Sequence, residues 1–179
     1  MLVQVQITPN PNSLKFLPGK NVSSIGPIEI TEVNKTNNEL IRNILKVDGV
    51  KGVFLSEDFI SVNKKNDYEW EDLKHIIISF INDYFAKGNE IVISQIQQNE
   101  NLDTSTIEGQ IKKILETKIR PAVARDGGDI KFREFKDGIV RVELQGACSG
   151  CPSATLTLKQ GVQNLLCHYI PEVKEVEAV

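Results

Sequence analysis

Two cysteines stand three positions apart in Cys148-Ser149-Gly150-Cys151, and Pro152 follows at once. A Cys-x-x-Cys pair brings two sulfurs to one side of a tight loop, where they can ligate a metal, hold an iron–sulfur cluster or close to a disulfide. Proline suits the first turn of a helix, where its missing N–H costs nothing. The pair is therefore expected at a helix N-terminus, whose dipole and unpaired N–H groups favour thiolate over thiol. Cys167 and His168 lie sixteen and seventeen residues beyond Cys151. On one continuous helix that is ~25 Å at ~1.5 Å per residue, so neither reaches the pair, and Cys167 reads as a small helix-packing residue. One chain thus offers two ligands where zinc and iron–sulfur clusters normally take four. The remainder must come from a second chain, a small thiol or a partner protein; two identical chains supply four thiolates by two-fold symmetry.

Other chemistries are missing from the sequence. It holds no Gly-x-Ser-x-Gly, P-loop, dinucleotide fingerprint or second metal motif. Distance removes His168 as a base for a cysteine nucleophile, and His75 falls off the apolar stripe of its own segment and reads as solvent-facing. No catalytic residue is assigned and the chain is not read as an enzyme. Two alternatives stay open: a Cys-x-x-Cys thiol–disulfide oxidoreductase and a zinc-bridged dimer. A thioredoxin-like motif sits near a βαβ pattern, whereas this pair follows an antiparallel hairpin, which counts against the first. An odd number of cysteines, three, does not suit a secreted disulfide framework.

The 179 residues carry 21 Lys plus Arg against 24 Asp plus Glu, a net charge of −3. Residues 1–98 hold 10 basic and 12 acidic side chains and the remainder 11 and 12, so neither half is a basic module and a nucleic-acid partner is not expected. No apolar run approaches the ~20 residues that cross a bilayer, and no membrane partner is expected. Met1 leads almost directly into an alternating pattern with no signal-peptide layout. The chain therefore reads as intracellular, or as a mature form already processed.

The elements that must position the pair follow from periodicity. Val3–Ile7 alternates as a half-buried strand, the prolines of Thr8-Pro9-Asn10-Pro11-Asn12 force a turn, and Leu14–Phe16 resumes the strand. A weaker strand spans 27–33. Asn38 caps a helix over 39–47, and strands follow at 50–55 and 59–62. Trp70, Leu73, Ile77, Phe80 and Tyr84 stripe a helix over 69–86. The run from Ser94 to Asn101 is polar, amide-rich and aperiodic, which is linker composition. The domain boundary is placed within 87–102, giving domains at 1–94 and 103–179. In the second, Ser105-Thr106-Ile107-Glu108 fits a capping box and opens a helix that Arg120-Pro121 interrupts. Asp126-Gly127-Gly128-Asp129 is a sharp turn. Strands 130–135 and 139–144 flank an Asp137-Gly138 hairpin turn, a helix runs from Pro152 to about Tyr169, and a strand closes the chain. The fold class is α+β: two small domains, each a mainly antiparallel sheet packed against helices.

Taken together, Ile119-Arg120-Pro121-Ala122-Val123, Asp126-Gly127-Gly128-Asp129, Asp137-Gly138-Ile139-Val140 and Gly146-Ala147-Cys148-Ser149-Gly150-Cys151-Pro152 resemble the NifU-like (Nfu-type) iron–sulfur scaffold domain over roughly 103–179. Thr8–Phe16 and Gly49–Val53 resemble that family's N-terminal companion domain. The resemblance implies a scaffold or carrier that holds a [4Fe–4S] cluster between two subunits, with Cys148 and Cys151 of each as ligands. It implies delivery to acceptor apo-iron–sulfur proteins, loading by upstream cluster-assembly proteins, and a partner-contact role for the cysteine-free domain 1–94. A homodimer is expected when the cluster is loaded, and a monomeric or weakly associated chain without it. A mitochondrial member of the family would carry a transit peptide, which is not seen here, so the resemblance implies bacterial cytoplasm, with a mature mitochondrial matrix form as the other reading.

Overall fold

The computed structural model describes residues 2–92 and 103–179, and the chain divides into two compact units, Met1–Gln97 and Gln98–Val179. The polar run 94–101 lies outside the described residues.

The first unit is a five-stranded antiparallel sheet with strands β1 (Gln4–Ile7), β2 (Ser13–Leu17), β3 (Ile28–Ile30), β4 (Val50–Leu55) and β5 (Ile60–Lys64), in the order β1-β2-β5-β4-β3. Helices α1 (Glu39–Leu45) and α2 (Trp70–Ala86) pack on it. The Asn38 side chain caps α1 by accepting the Ile41 N–H at 3.2 Å. Leu14, Phe16, Val53, Leu55, Ile60 and Val62 meet the helices in one core. The buried stripe of α2 is Leu73, Ile77, Ile81 and Phe85, and Trp70, Phe80 and Tyr84 lie beside it, partly buried. The sequence pattern places those three on the stripe itself, with Leu73 and Ile77. Their large rings reach the core from the flank, which leaves the central positions to Ile81 and Phe85.

The second unit begins with α3 (Ile107–Ile114), a π-helical turn (Leu115–Ile119) and α4 (Arg120–Arg125). Thr106, not Ser105, is the N-cap of α3; its hydroxyl accepts the Gly109 N–H at 3.0 Å, while Ser105 donates to Asp103. The expected break at Arg120-Pro121 does not occur either. The Arg120 N–H bonds the Leu115 carbonyl, five residues back, and Pro121 falls in the first turn of α4, where no N–H is required. The wider turn absorbs the proline, and the chain stays helical from Ile107 to Arg125.

Next come β6 (Gly128–Lys136) and β7 (Ile139–Gly146), paired antiparallel. Helix α5 (Pro152–Tyr169) then carries the chain back to β8 (Glu175–Ala178), which lies parallel to β7. The apolar faces of these elements enclose a second core around Ile111, Leu115, Ile130, Val140, Val142, Val162, Leu166 and Val176. The β6–β7 hairpin positions the cysteine loop, and its two-residue turn needs positive φ at both Asp137 (54°) and Gly138 (82°). A Cβ on Gly138 would also stand 2.9 Å from Lys174 Cδ and 3.2 Å from the Glu172 carbonyl oxygen. Gly138→Ala should cost about 1–2 kcal/mol. Hydrogen exchange of the full chain should show β6 and β7 amides opening faster, with those of β4 and β5 unchanged.

Candidate metal centre

The cysteine loop is built by two reversals of the backbone. Gly146, at φ 66°, turns the chain out of β7. The Ser149 N–H and hydroxyl both donate to the Gly146 carbonyl, at 3.2 and 2.9 Å. Gly150, at φ 77°, turns it again, and Cys151 becomes the extended N-cap of α5 with Pro152 as its first residue. Thr155 fastens the loop to the helix: its N–H donates to the Cys151 carbonyl at 2.9 Å and its hydroxyl to the Cys148 carbonyl at 3.3 Å.

The structure places Cys148 and Cys151 in this one loop, yet their surroundings differ sharply. Cys148 is 8% exposed and belongs to the second core. Cys151 is half-buried, its Sγ lies 3.4 Å from Ser153 Oγ, and it borders an open groove of about 590 Å³ with Pro152, Thr155, Leu156, Lys159 and Glu177. Leu156 stands 67% exposed there, one turn along α5. The seat of Cys148 is shaped by Gly128, where a Cβ would fall 2.6 Å from Cys148 Sγ and 2.6 Å from the Gln145 carbonyl oxygen. The preceding residue is tied in as well, since the Ala147 N–H donates to the Gly127 carbonyl at 3.1 Å.

Burial pushes the Cys148 thiol from its ordinary 9.0 up to about 12, and the carboxylates of Asp126 and Asp129 push in the same direction. The expectation that a helix N-terminus favours thiolate fails at this residue. Cys148 precedes the helix by three positions and lies in the core, where desolvation and two nearby negative charges outweigh the dipole. Asp129 is itself 3% exposed and is held by a two-bond fork, Arg120 Nε to Oδ1 at 2.8 Å and Nη2 to Oδ2 at 3.0 Å. Arg120 Nη1 also donates to Glu116 at 2.9 Å.

His75 and His168 are exposed. Cys167 is half-buried and packs on the second core near the end of α5, ~24 Å along the helix axis from Cys151. Among the described residues no group of three or more His, Cys, Asp or Glu could hold a metal. Sequence reasoning took Asp126–Asp129 for a turn and missed its part in the site. Gly128, Asp126 and Asp129 come near Cys148 as β6 pairs with β7, and Arg120, just after the π-helical turn, reaches Asp129. The one signal for them was the shared Asp-Gly-Gly-Asp and Arg-Pro motifs. The β7–α5–β8 crossover also alters the weighing against an oxidoreductase, since the pair does open a helix between two parallel strands.

Residues 111–177 match the NifU-like domain family and residues 3–88 match the family described as Scaffold protein Nfu/NifU N terminal. The chain is 44% identical over 183 residues to a human protein named NFU1 iron-sulfur cluster scaffold homolog, mitochondrial, covering 100% of this chain and 72% of that one. It is 43% identical over 185 residues to the Arabidopsis thaliana NifU-like protein 4, mitochondrial, covering 99% of this chain and 65% of that one. A solution structure of a NifU-like protein from Saccharomyces cerevisiae has 25% identity and a TM-score of 0.45, over 52% of this chain and 87% of that one; so low a score adds nothing to the argument. The relatives' names correct the expectation of bacterial cytoplasm, because they point to mitochondria. That expectation rested on the residues after Met1, which carry no information on compartment in a chain spanning about two thirds of such relatives.

The raised Cys148 thiol has a consequence for apo-protein stability. The unfolded chain sheds this proton above about pH 9 while the folded chain keeps it to about pH 12, so stability is intact below pH 9 and falls as pH rises through that window. Urea titrations of the full-length apo-protein at pH 8 and pH 10.5 should show the loss. The same titrations of Cys148→Ala should show a smaller one, and equal slopes would contradict the burial argument.

Proposed function

This chain belongs to the Nfu/NifU-like family of iron–sulfur cluster scaffold proteins, and on that premise we propose that it carries a [4Fe–4S] cluster as cargo between two copies of itself, held by Cys148 and Cys151 of each. The observation that carries this reading is the ligand geometry. One loop carries two cysteines, Cys148 in the second core and Cys151 at the start of α5, and no third ligand joins them among the described residues. A four-thiolate cluster must then take its other ligands from outside the chain, and a second copy supplies two more by two-fold symmetry.

The chain's own residues account for holding and release without a catalytic base. Cys148 is seated in the core, and Cys151 faces an open groove from which an acceptor's thiolate can approach. Iron binding displaces the Cys148 proton, so loading releases it to solvent. Incoming thiolates then replace the protein's sulfurs one at a time. The cysteine-free first unit serves partner contact with acceptor apo-proteins and with the assembly proteins that load the cluster. Burial disfavours Cys148 as the attacking thiol of a thiol–disulfide exchange, since it is 8% exposed and its pKa is raised.

Anaerobic reconstitution should give brown protein with about four irons per dimer. Cys148→Ser and Cys151→Ser should each lose most of that absorbance and iron; full retention in either would remove that residue as a ligand. Colourless protein with one zinc per dimer from iron-replete cells would favour the zinc-bridged alternative instead. Assembly state should follow loading, since a ligand-bridged dimer is stabilised by its cargo. Sedimentation at matched micromolar concentration should find mainly monomer without cluster and dimer with it. A fully dimeric apo-protein that stays so after both cysteines become serine would place the interface elsewhere.

A further inference from the structure

We propose that Arg120 is a positioning residue for Cys148: by gripping Asp129 it fixes the start of β6, and with it the backbone seat that holds the Cys148 sulfur.

The path is short and each step is a contact. The fork from Arg120 to Asp129 has two bonds, 2.8 and 3.0 Å, with Asp129 almost fully buried. Two parallel N–H···O bonds fix the direction of approach as well as the distance. Gly128 is the next residue, and its Cα faces Cys148 Sγ with no room for a methyl group. Gly127 precedes it and accepts the Ala147 N–H, one residue before Cys148. Displacing Asp129 therefore shifts both the wall against the sulfur and the anchor of its loop. On the other flank, Asp129 pairs across the ladder with Gln145, whose carbonyl oxygen also lies against Gly128.

The local helix geometry supports the same reading. Arg120 directly follows the π-helical turn. A wider turn changes the direction in which the following side chain leaves the helix. With Glu116 one turn earlier taking the third guanidinium bond, Arg120 is oriented from one side and delivers its fork to the other. A surface ion pair would need no such arrangement, and a pair serving stability alone need not adjoin the seat of a ligand. Arg120 touches no sulfur and acts only through Asp129 and Gly128.

The consequence for cargo rests on the reading of Cys148 as a cluster ligand, but the seat itself is testable without cluster. Full-length apo-protein at pH 8 is treated with iodoacetamide, and labelling of Cys148, Cys151 and Cys167 is followed by peptide mass spectrometry. Cys167 packs on the same core and reports general loosening. Arg120→Lys keeps the charge and loses the fork; the double variant Arg120→Gln with Asp129→Asn loses the fork while leaving no buried charge unpaired. Both should label Cys148 about tenfold faster than the parent with Cys167 unchanged, the signature of a local opening. Gly128→Ala is the positive control for a disturbed seat. The proposal is overturned if Cys148 labelling stays at the parent rate in both variants, or if Cys148 and Cys167 accelerate together.

A second arm uses reconstituted protein, with bleaching of the cluster absorbance by excess EDTA and the visible circular dichroism as readouts. Arg120→Lys should bleach about tenfold faster and show an altered dichroism. Parent protein that takes up no cluster would defeat the carrier reading and leave the labelling result standing. Parent and variant clusters with equal lifetimes and equal spectra would defeat the positioning role and leave the carrier reading intact.

Discussion

The sulfur of Cys148 and the backbone of Gly128 occupy neighbouring space with nothing to spare, since a single methyl on Gly128 would come within 2.6 Å of the sulfur. Much of the second unit is arranged around that approach. The hairpin must end with Gly146 opposite Gly128, so that the loop leaving β7 folds back over the start of β6. Helix α5 must begin at Pro152, so that Thr155 can tie the carbonyls of both cysteines to its first turn. Asp129 must be buried to continue β6 inward, and a buried carboxylate requires a partner. Arg120 supplies it, and the π-helical turn lets the helix pass Pro121 while aiming Arg120 at the strand. A close backbone contact thus accounts for a glycine, an ion pair and an irregular helical turn that would otherwise look unrelated.

The features legible in the sequence are those set by local periodicity and turn chemistry. The Asp137-Gly138 hairpin, the cap at Asn38 and helix α5 behind Pro152 follow from residue types at fixed offsets, and the α+β class follows from their order. What was not legible depends on contacts between segments distant in sequence. The burial of Cys148 could not be read from a motif whose neighbours are Ala147 and Ser149; it arises because the loop folds back against Gly128 and joins the second core. A proline normally reads as a helix stop, and only the five-residue hydrogen bond to Leu115 shows why Pro121 is not one. The true stripe of α2 was hidden by aromatic residues flanking it, because periodicity counts apolar positions without weighing how far each side chain must reach. Compartment was misread for a different reason, being no property of folding physics at all.

Burial and exposure divide the cysteine pair into two unequal partners, and the inequality bears on what the pair can do. A buried thiol whose proton is held above its ordinary range is a poor nucleophile at neutral pH, and metal binding is one way to displace that proton. With Cys148 as the proposed ligand, that same desolvation would keep water and competing thiols from its sulfur. Cys151 lacks that shelter, standing at the mouth of a groove beside an exposed leucine. Two fully buried sulfurs would give a storage site that no acceptor could enter, and two exposed ones would lose their cargo to any thiol in solution. A carrier needs retention and access together. On the proposed ligand assignment the fold divides these between two residues three positions apart, sinking one sulfur against Gly128 and leaving the other at the start of α5.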